Sequence, residues 1–388
     1  MDAHDTDRPQ PRVVRLTPPG RGAVATLLVE GPTALDVVAA RFRAKSGRRL
    51  TAEATDRLLF GRFGPKSGED GPGEELVVRC RHDRSVELHC HGGHATVAMV
   101  EALLVEQGCK TVAWQDWIAG RHEDPITAAA HLALAEARTE RTAAILLDQY
   151  GGALRHAIDQ IEEAHRHGDA ALARSRAEAL LGRADLGRHL TRPWRVMLAG
   201  RPNVGKSSLI NALVGYRRAI VHDKPGTTRD VVTATTAVDG WPVELSDTAG
   251  LCSTDDAIER AGIARAREEL RRADLVILVF DAGRDWSEAD QILLESARPE
   301  SKPERLVVHN KCDLPPTVGT RPPGLSTSAT TGTGIESLVQ TIAAHLVPDP
   351  PKPGMAVPFT AEQIQQISHL ATQSLHSGSQ DSDGRLFQ

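Results

Sequence analysis

The sequence is poor in cysteine, and the few it has are scattered. Cys80, Cys90, Cys109, Cys252 and Cys312 form no CxxC pair, which excludes a disulfide framework and leaves free thiols suited to a reducing compartment. No uninterrupted apolar run reaches membrane-spanning length, and the N-terminus is polar rather than signal-like. A membrane-spanning or secreted chain is therefore set aside and a cytoplasmic one is expected. A strong charge of either sign is also missing. The formal net charge is −5, so no global field draws the chain to nucleic acid or to an anionic bilayer, and an RNA partner is neither required nor excluded. What is present suits ordinary soluble cores. Hydrophobic residues make up 40% of 388 positions, and that length corresponds to roughly two to three domains.

The most informative stretch is residues 200–208, GRPNVGKSS, which fits the pattern G-x-x-x-x-G-K-[ST]. A short apolar run before it reads as a strand, and the residues after it read as the start of a helix. The chemistry needs these residue types. Glycines let the backbone close on a phosphate, so that successive N–H groups and a helix N-terminus face the anion. Lys206 brings a cation to the β- and γ-phosphates, and the Ser207 hydroxyl suits Mg²⁺. Asn203, Val204, Gly205 and Ser208 complete the loop. Further elements follow in order. Residues 226–230, GTTRD, place Thr228 to reach Mg²⁺, with Thr227 beside it. Asp247, Thr248, Ala249 and Gly250 end an alternating run; Asp247 would hold the metal through water and the Gly250 N–H would meet the γ-phosphate. Asn310, Lys311, Cys312 and Asp313 follow another apolar run. A carboxylate at Asp313 accepts both ring N–H donors of guanine, a pair that adenine lacks, so the nucleotide expected is GTP rather than ATP. The stem of Lys311 would lie along the base, and Ser328 and Ala329 would contact the guanine oxygen. A chance glycine turn, a turn aspartate at 313 or a loop threonine at 228 does not account for five such elements in one order.

Ahead of these motifs lies an α+β domain, residues 1–118. Strands are expected over 13–16, 22–29, 58–63, 75–80 and 86–93, with a last one at 112–114, and helices over 34–44 and 96–107. His89, Cys90, His91 and His94 invite a metal. Strand alternation, however, puts His89 and His91 on one face and Cys90 on the other, which favours a packed strand end over zinc. Glu87 shares the face of His89 and His91, so a small-molecule contact is expected there. Arg21 stands in a Pro-Gly turn.

From 127 to 190 the pattern becomes helical and alanine-rich. Leu146, Tyr150, Leu154, Ile158 and Ile161 recur every three or four residues as one apolar stripe, and Gly168 is expected to close that helix. This helical part, 119–192, leads into the GTPase domain, 193–347. A proline-rich linker and one amphipathic helix, 360–376, follow within 348–388. A lone helix is too little for a domain, so it is expected to pack back on the helices of 127–190. The expected fold class is thus an α/β P-loop GTPase domain inserted in an α-helical domain, preceded by an α+β N-terminal domain.

Leu251 follows the Asp-Thr-Ala-Gly motif, where Ras-like enzymes carry a water-orienting glutamine. Leucine cannot do that task, and Glu259 is the candidate to act in its place through a bridging or attacking water. The side-chain oxygen of Asn203 would join switch carbonyls around a monovalent cation, which stabilises developing charge where an arginine finger otherwise would.

These residues together resemble the MnmE (TrmE) family of tRNA-modification GTPases, over most of the chain. Residues 17–22, TPPGRG, resemble the family's opening. Val86-Glu87-Leu88 with Cys90-His91-Gly92-Gly93 resembles its strand entering HGG, and Asp247 through Glu259-Arg260 and Gly262-Ile263 resembles its DTAGL…ER.GI. The resemblance implies a homodimer built through the N-terminal domain, which binds formyl-tetrahydrofolate, with Glu87, Arg21 and Arg121 as the corresponding ligand set. It implies potassium-activated GTP hydrolysis through dimerisation of the GTPase domains, and work with an FAD-dependent partner of the MnmG (GidA) type on the wobble uridine of tRNA. Carried over by position, Asn203 and Thr227 with the carbonyls of His222 and Lys224 would cradle K⁺, Ser207 and Thr228 would bind Mg²⁺, and Glu259 would be the catalytic glutamate. The sequence also departs from the family. Leu28 stands where the family has a folate-contacting arginine, and Arg121 where it has a lysine. The family ends in Cys-[Ile/Leu/Val]-Gly-Lys, whereas residues 384–388, GRLFQ, resemble what comes just before it. Two alternatives therefore stay in view. One is a degenerate paralogue without modification chemistry. The other is a ribosome-assembly GTPase switch, which calls for a basic C-terminal module that 349–388 lacks.

Overall fold

The computed structural model describes residues 10–20, 22–52, 56–65, 73–216, 233–247, 272–296, 304–315 and 320–376. The chain divides into two units, Met1–Glu123 and Asp124–Gln388.

The first unit runs β1 (Arg12–Arg15), β2 (Val24–Glu30), α1 (Ala34–Arg41), β3 (Phe42–Ala44), β4 (Leu58–Phe63), β5 (Glu74–His82), β6 (Ser85–His91), α2 (His94–Glu106), β7 (Lys110–Val112) and α3 (Trp114–Ala119). Its strands pair in the order β3-β4-β5-β6-β2-β1-β7. Alternation decides the faces. Ala25, Leu27 and Val29 of β2 and Val86, Leu88 and Cys90 of β6 point into one core with Val38, Val97, Val100 and Leu104 from α1 and α2. Thr26, Leu28, Glu87 and His89 fall on the other face, where Leu28 pairs with Glu87 and Thr26 with His89. Two sequence expectations are corrected. The helix expected over 34–44 stops at Arg41, because Phe42 pairs across a strand with Phe63 and both rings are buried there. Trp114 does not close a strand; it opens α3, and its helix mate Trp117 donates Nε1 to Glu30 at 2.9 Å. The glycines of the two N-terminal motifs meet in space. A Cβ on Gly92 would overlap the backbone of Gly22, so the residue that follows β6 can lie against Gly22 only without a side chain. Cys80, Cys90 and Cys109 are free and buried, and burial pushes the Cys109 thiol up to about 11.

The second unit opens with α4 (Pro125–Glu136), α5 (Glu140–Tyr150), α6 (Ala153–Arg166), α7 (Ala170–Leu181) and α8 (Ala184–Arg188). The first of these starts where Asp124 caps it, accepting from Thr127 N at 2.9 Å, with Pro125 in the first turn, the position at which proline costs no hydrogen bond. The apolar stripe expected to run through one helix is broken instead. Gly152, at φ 100, turns the chain between α5 and α6, so the stripe serves two cores. Ile145 and Leu146 join Trp194, Leu213, Trp241 and Leu346, whereas Leu154, Ile158 and Ile161 join Ala173, Ala177, Leu180 and Ile367. Tyr150, between them, stays 38% exposed.

A second sheet follows, from β8 (Trp194–Ala199), β9 (Thr233–Val238), β10 (Trp241–Asp247), β11 (Leu275–Asp281), β12 (Glu304–Asn310) and β13 (Leu325–Thr327). With it come α9 (Lys206–Gly215), α10 (Glu288–Ser296), α11 (Ile335–Leu346) and α12 (Ala361–His376). The strand order is β13-β12-β11-β8-β10-β9, parallel except for the β9–β10 hairpin. The Leu-Val-Ile-Leu-Val-Phe run of β11 is buried throughout, as a central parallel strand with both faces covered must be. The hairpin turns at Asp239 and Gly240, both at positive φ, as the twist of a two-residue hairpin demands. Arg141 of α5 holds that turn, with Nη1 3.0 Å from Asp239 Oδ2. At the C-terminal end α12 seats Ile367 on α6 and α7, and the segment before it is pinned twice. Gln149 bonds Met355 O and Val357 N, and Gly187 packs so closely on Pro358 that a Cβ would overlap its carbonyl. Among the described residues no helix is long and apolar enough to cross a membrane.

Candidate active site

The loop between β8 and α9 sits at the point where the strand order reverses, with β10 on one side and β11 on the other. In open parallel sheets this is where ligands bind. Two glycines of the loop are required by contact. A Cβ on Gly200 would overlap the Val279 carbonyl, and one on Gly205, at φ 94, would overlap the Asn310 amide. Asn203 also lies in the left-handed region at φ 65 and is exposed. The Lys206 ammonium curls back onto Gly200 O at 3.1 Å and Arg201 O at 3.2 Å. It stands 3.6 Å from Asp247 Oδ1, with both side chains nearly fully buried. The Ser207 hydroxyl donates to Asp247 Oδ2 at 2.9 Å. A buried cation, a hydroxyl and a carboxylate therefore converge at the N-terminus of α9. That is the donor set of a phosphate–Mg²⁺ site, since hard oxygen donors suit that ion. Ser208 follows on the exposed side of α9.

The base-recognition motif closes over the same loop. Asn310, 1% exposed, donates Nδ2 to Val204 O at 3.0 Å, while its Oδ1 accepts from Ala329 N at 3.2 Å and Thr327 Oγ1 at 3.3 Å. One amide thus binds the phosphate loop, β12 and the 328–329 turn together, where Ser328 is fully buried. Lys311, at φ 66, donates Nζ to Asn203 O at 2.6 Å and to Asp281 Oδ2 at 2.8 Å. Asp313 is exposed, and its carboxylate has no partner among the described residues. Thr227, Thr228, Thr248, Ala249, Gly250, His222, Lys224 and Glu259 lie outside the described residues. Two residues that sequence reasoning missed belong to this end of the site. Asp281 carried a signal, as a carboxylate closing an apolar strand in the manner of Asp247. Arg321, whose guanidinium bonds the carbonyls of residues 281, 282 and 284, carried none.

In the first unit the candidate ligand residues separate into two clusters. Glu87, 8% exposed, faces Arg79 Nη1 at 3.6 Å, Arg81 Nε at 3.5 Å and His89 Nε2 at 3.7 Å. Arg121 instead pairs with Glu30 at 3.3 Å and lies over the Trp117 ring. Arg21 lies outside the described residues. The histidines hold no metal set: His89 bonds Thr26 at 3.0 Å, His91 pairs with Glu74, and Cys90 faces the core. Among the described residues no group of three or more His, Cys, Asp and Glu side chains is placed to hold a metal ion.

Comparison with known proteins covers most of the chain. Residues 195–311 match the family model described as 50S ribosome-binding GTPase. A tRNA modification GTPase MnmE of a Synechococcus species is 34% identical over 366 residues, spanning 84% of this chain and 78% of that protein. The protein of the same name from Parasynechococcus marenigrum is 34% identical over 381 residues, spanning 88% and 82%. That from Geobacillus kaustophilus is 34% identical over 338 residues, spanning 77% and 72%. Among solved structures, Era of Aquifex aeolicus bound to GDP and aluminium fluoride is 27% identical, covers 42% of this chain and 59% of that one, and superposes with a TM-score of 0.31.

Proposed function

The chain belongs to the family of tRNA modification GTPases named MnmE, and from that premise we propose that it couples potassium-stimulated GTP hydrolysis to modification of the wobble uridine of tRNA. GTP hydrolysis itself follows from the family. The observation that carries the site is the convergence of Lys206, Ser207 and Asp247 at the N-terminus of α9. Ser207 would hold Mg²⁺ directly and Asp247 through water, with Thr228 as the switch ligand; the ion neutralises charge developing on the transferred phosphoryl group. Lys206 meets the β- and γ-phosphates, and its buried position beside Asp247 keeps it oriented without solvent. Glu259 orients the attacking water, in place of the glutamine that Leu251 replaces. Asn203, with Thr227 and the His222 and Lys224 carbonyls, holds K⁺; the exposure of Asn203 at the loop tip supports that reading.

The rest of the proposal concerns the other parts of the chain. The GTPase domain is an insertion within a helical domain, a reading supported by the seating of Ile367 of α12 among α6 and α7. The N-terminal unit forms the homodimer and takes formyl-tetrahydrofolate. A folate needs a carboxylate for its ring N–H groups and cations for its acidic tail, and Glu87 with Arg79 and Arg81 supplies both kinds. Leu28, buried and paired with Glu87, stands where the family has a folate-contacting arginine, so Arg79 and Arg81 are the cations of this reading. An FAD-dependent protein of the MnmG type and tRNA complete the system.

GTPase rate measured in K⁺ and in Na⁺ across a range of protein concentrations tests the mechanism. A rate that rises with protein concentration in K⁺ alone is expected, and equal rates in both salts would remove Asn203 from ion binding. Mass spectrometry of wobble uridines in a strain deleted for the gene tests the biological role. Loss of the modification is expected, and an unchanged nucleoside profile would leave a GTPase without modification chemistry.

A further inference from the structure

Lys311 is held by contacts outside its own motif. Its backbone sits at φ 66, a conformation that disfavours side chains with a Cβ, so local preference does not keep the residue in place. What keeps it is its ammonium, shared between Asn203 O of the phosphate loop at 2.6 Å and Asp281 Oδ2 at 2.8 Å. The Asp281 side chain is 7% exposed, and its other oxygen accepts from Gly283 N at 2.9 Å. The position of that carboxylate therefore depends on the turn that follows β11.

That turn, where Ala282 N also donates to Asn310 O at 2.7 Å, is gripped from across the chain by the Arg321 side chain. Arg321 donates Nη1 to Asp281 O at 2.9 Å and Nη2 to Ala282 O at 2.9 Å, and Nη2 also reaches Arg284 O. Guanidinium donors lie in a fixed plane, so one group bonding the carbonyls of residues 281, 282 and 284 braces the path of the turn. The segment carrying Arg321 is itself fixed beside the base motif, with His309 Nε2 2.9 Å from Pro322 O, one residue before Asn310.

We infer that Arg321 is a positioning residue for guanine-nucleotide binding: by fixing the 281–284 turn it aims Asp281 at Lys311, and so aligns the lysine stem with the base and the Asn203 loop with the phosphates. The inference rests on the nucleotide-site reading above. In this role Arg321 acts through the aspartate and the lysine.

Full-length protein titrated with N-methylanthraniloyl-GDP tests it, with steady-state GTP turnover alongside. The wild type comes first; if it does not bind the probe, the nucleotide site itself is lost, an outcome distinct from equal binding by wild type and variant. Arg321→Ala is expected to bind the probe about tenfold more weakly, the loss of one charge-assisted anchor. The effect should fall on KM for GTP far more than on kcat, because Lys206, Ser207 and Asp247 have anchors of their own. Asp281→Asn keeps the Gly283 bond and removes the charge facing Lys311, and should weaken binding to a similar extent. The double variant should bind no more weakly than the weaker single one, since both changes break one relay. Arg321→Lys should recover part of the loss. Wild-type affinity in Arg321→Ala, or losses that multiply in the double variant, would overturn the inference and leave Arg321 a staple independent of Lys311. If the alanine variant does not fold, Arg321→Lys takes its place in the same cycle and the same two outcomes decide.

Discussion

At the scale of single residues, the nucleotide site is a set of local necessities. Gly205 must adopt φ 94 beneath the Asn310 amide, Lys206 must be buried next to Asp247, and Asp313 must be left with its carboxylate open to solvent. Each requirement belongs to one residue type, so each can be read from contiguous letters. The Asp313 assignment has a sharp consequence. An amide in place of the carboxylate offers a donor where guanine also donates, while xanthine presents an acceptor there. Asp313→Asn is expected to weaken GDP binding by about a hundredfold or more, because a donor is left facing a donor and a charge-assisted pair is lost, and to strengthen xanthosine diphosphate binding. Parallel titrations with the two nucleotides measure this, and an unchanged preference would take Asp313 out of base recognition. Arg321 shows the limit of such reading. Its partners are backbone carbonyls 37 to 40 positions earlier in the chain, and a carbonyl leaves no mark in a sequence.

At the scale of elements, caps and breaks decide where helices begin and end. The start of α4 is a charged cap. Burial pushes the Asp124 carboxyl up, but the Thr127 bonds and the Arg155 guanidinium together outweigh it and hold the group at about 2. A folded-state pKa depressed in this way adds stability that is present above the ordinary carboxylate range, at about pH 4 and higher, and is lost as pH falls through the folded value. Asp124→Ala should therefore cost about 1 kcal/mol at neutral pH, the usual worth of an N-cap. The difference from wild type should shrink as pH approaches 2. Thermal denaturation across that range measures it, and a difference independent of pH would leave the charge out of the account. The cap and Pro125 are visible in the letters Asp-Pro-Ile-Thr. The break at Gly152 was harder to see, because the apolar spacing carries across it; a 3.6-residue period records which face is apolar but not which core that face meets.

At the scale of the whole chain, α5 and α6 of the second unit feed two different hydrophobic cores, one each. Ile367 of α12 belongs to the core that holds no strand. Ile367→Ala should cost about 2–5 kcal/mol, as large-to-small changes at fully buried sites do, and so lower the unfolding temperature. GDP affinity should move by less than twofold, because the nucleotide loop rests on the other core. Differential scanning fluorimetry with and without GDP checks both halves of that statement, and a matching loss of affinity would show the two cores to be energetically one.

The sequence by itself determined the nucleotide motifs and their order, the strand alternation that sends Cys90 inward and Glu87 outward, and the general run of helices from 125 onward. These depend on properties that a few neighbouring residues possess alone: a permitted φ, a charge, a period of two or of 3.6. Only the tertiary structure decided that Gly92 rests on Gly22, that Gly187 rests on Pro358, that one apolar stripe serves two cores, and that Arg321 braces the turn behind Lys311. Each of these is a contact between residues far apart in the chain. Its free energy comes from excluded volume, burial or a bond to a backbone oxygen, and none of those three is a property of any local stretch.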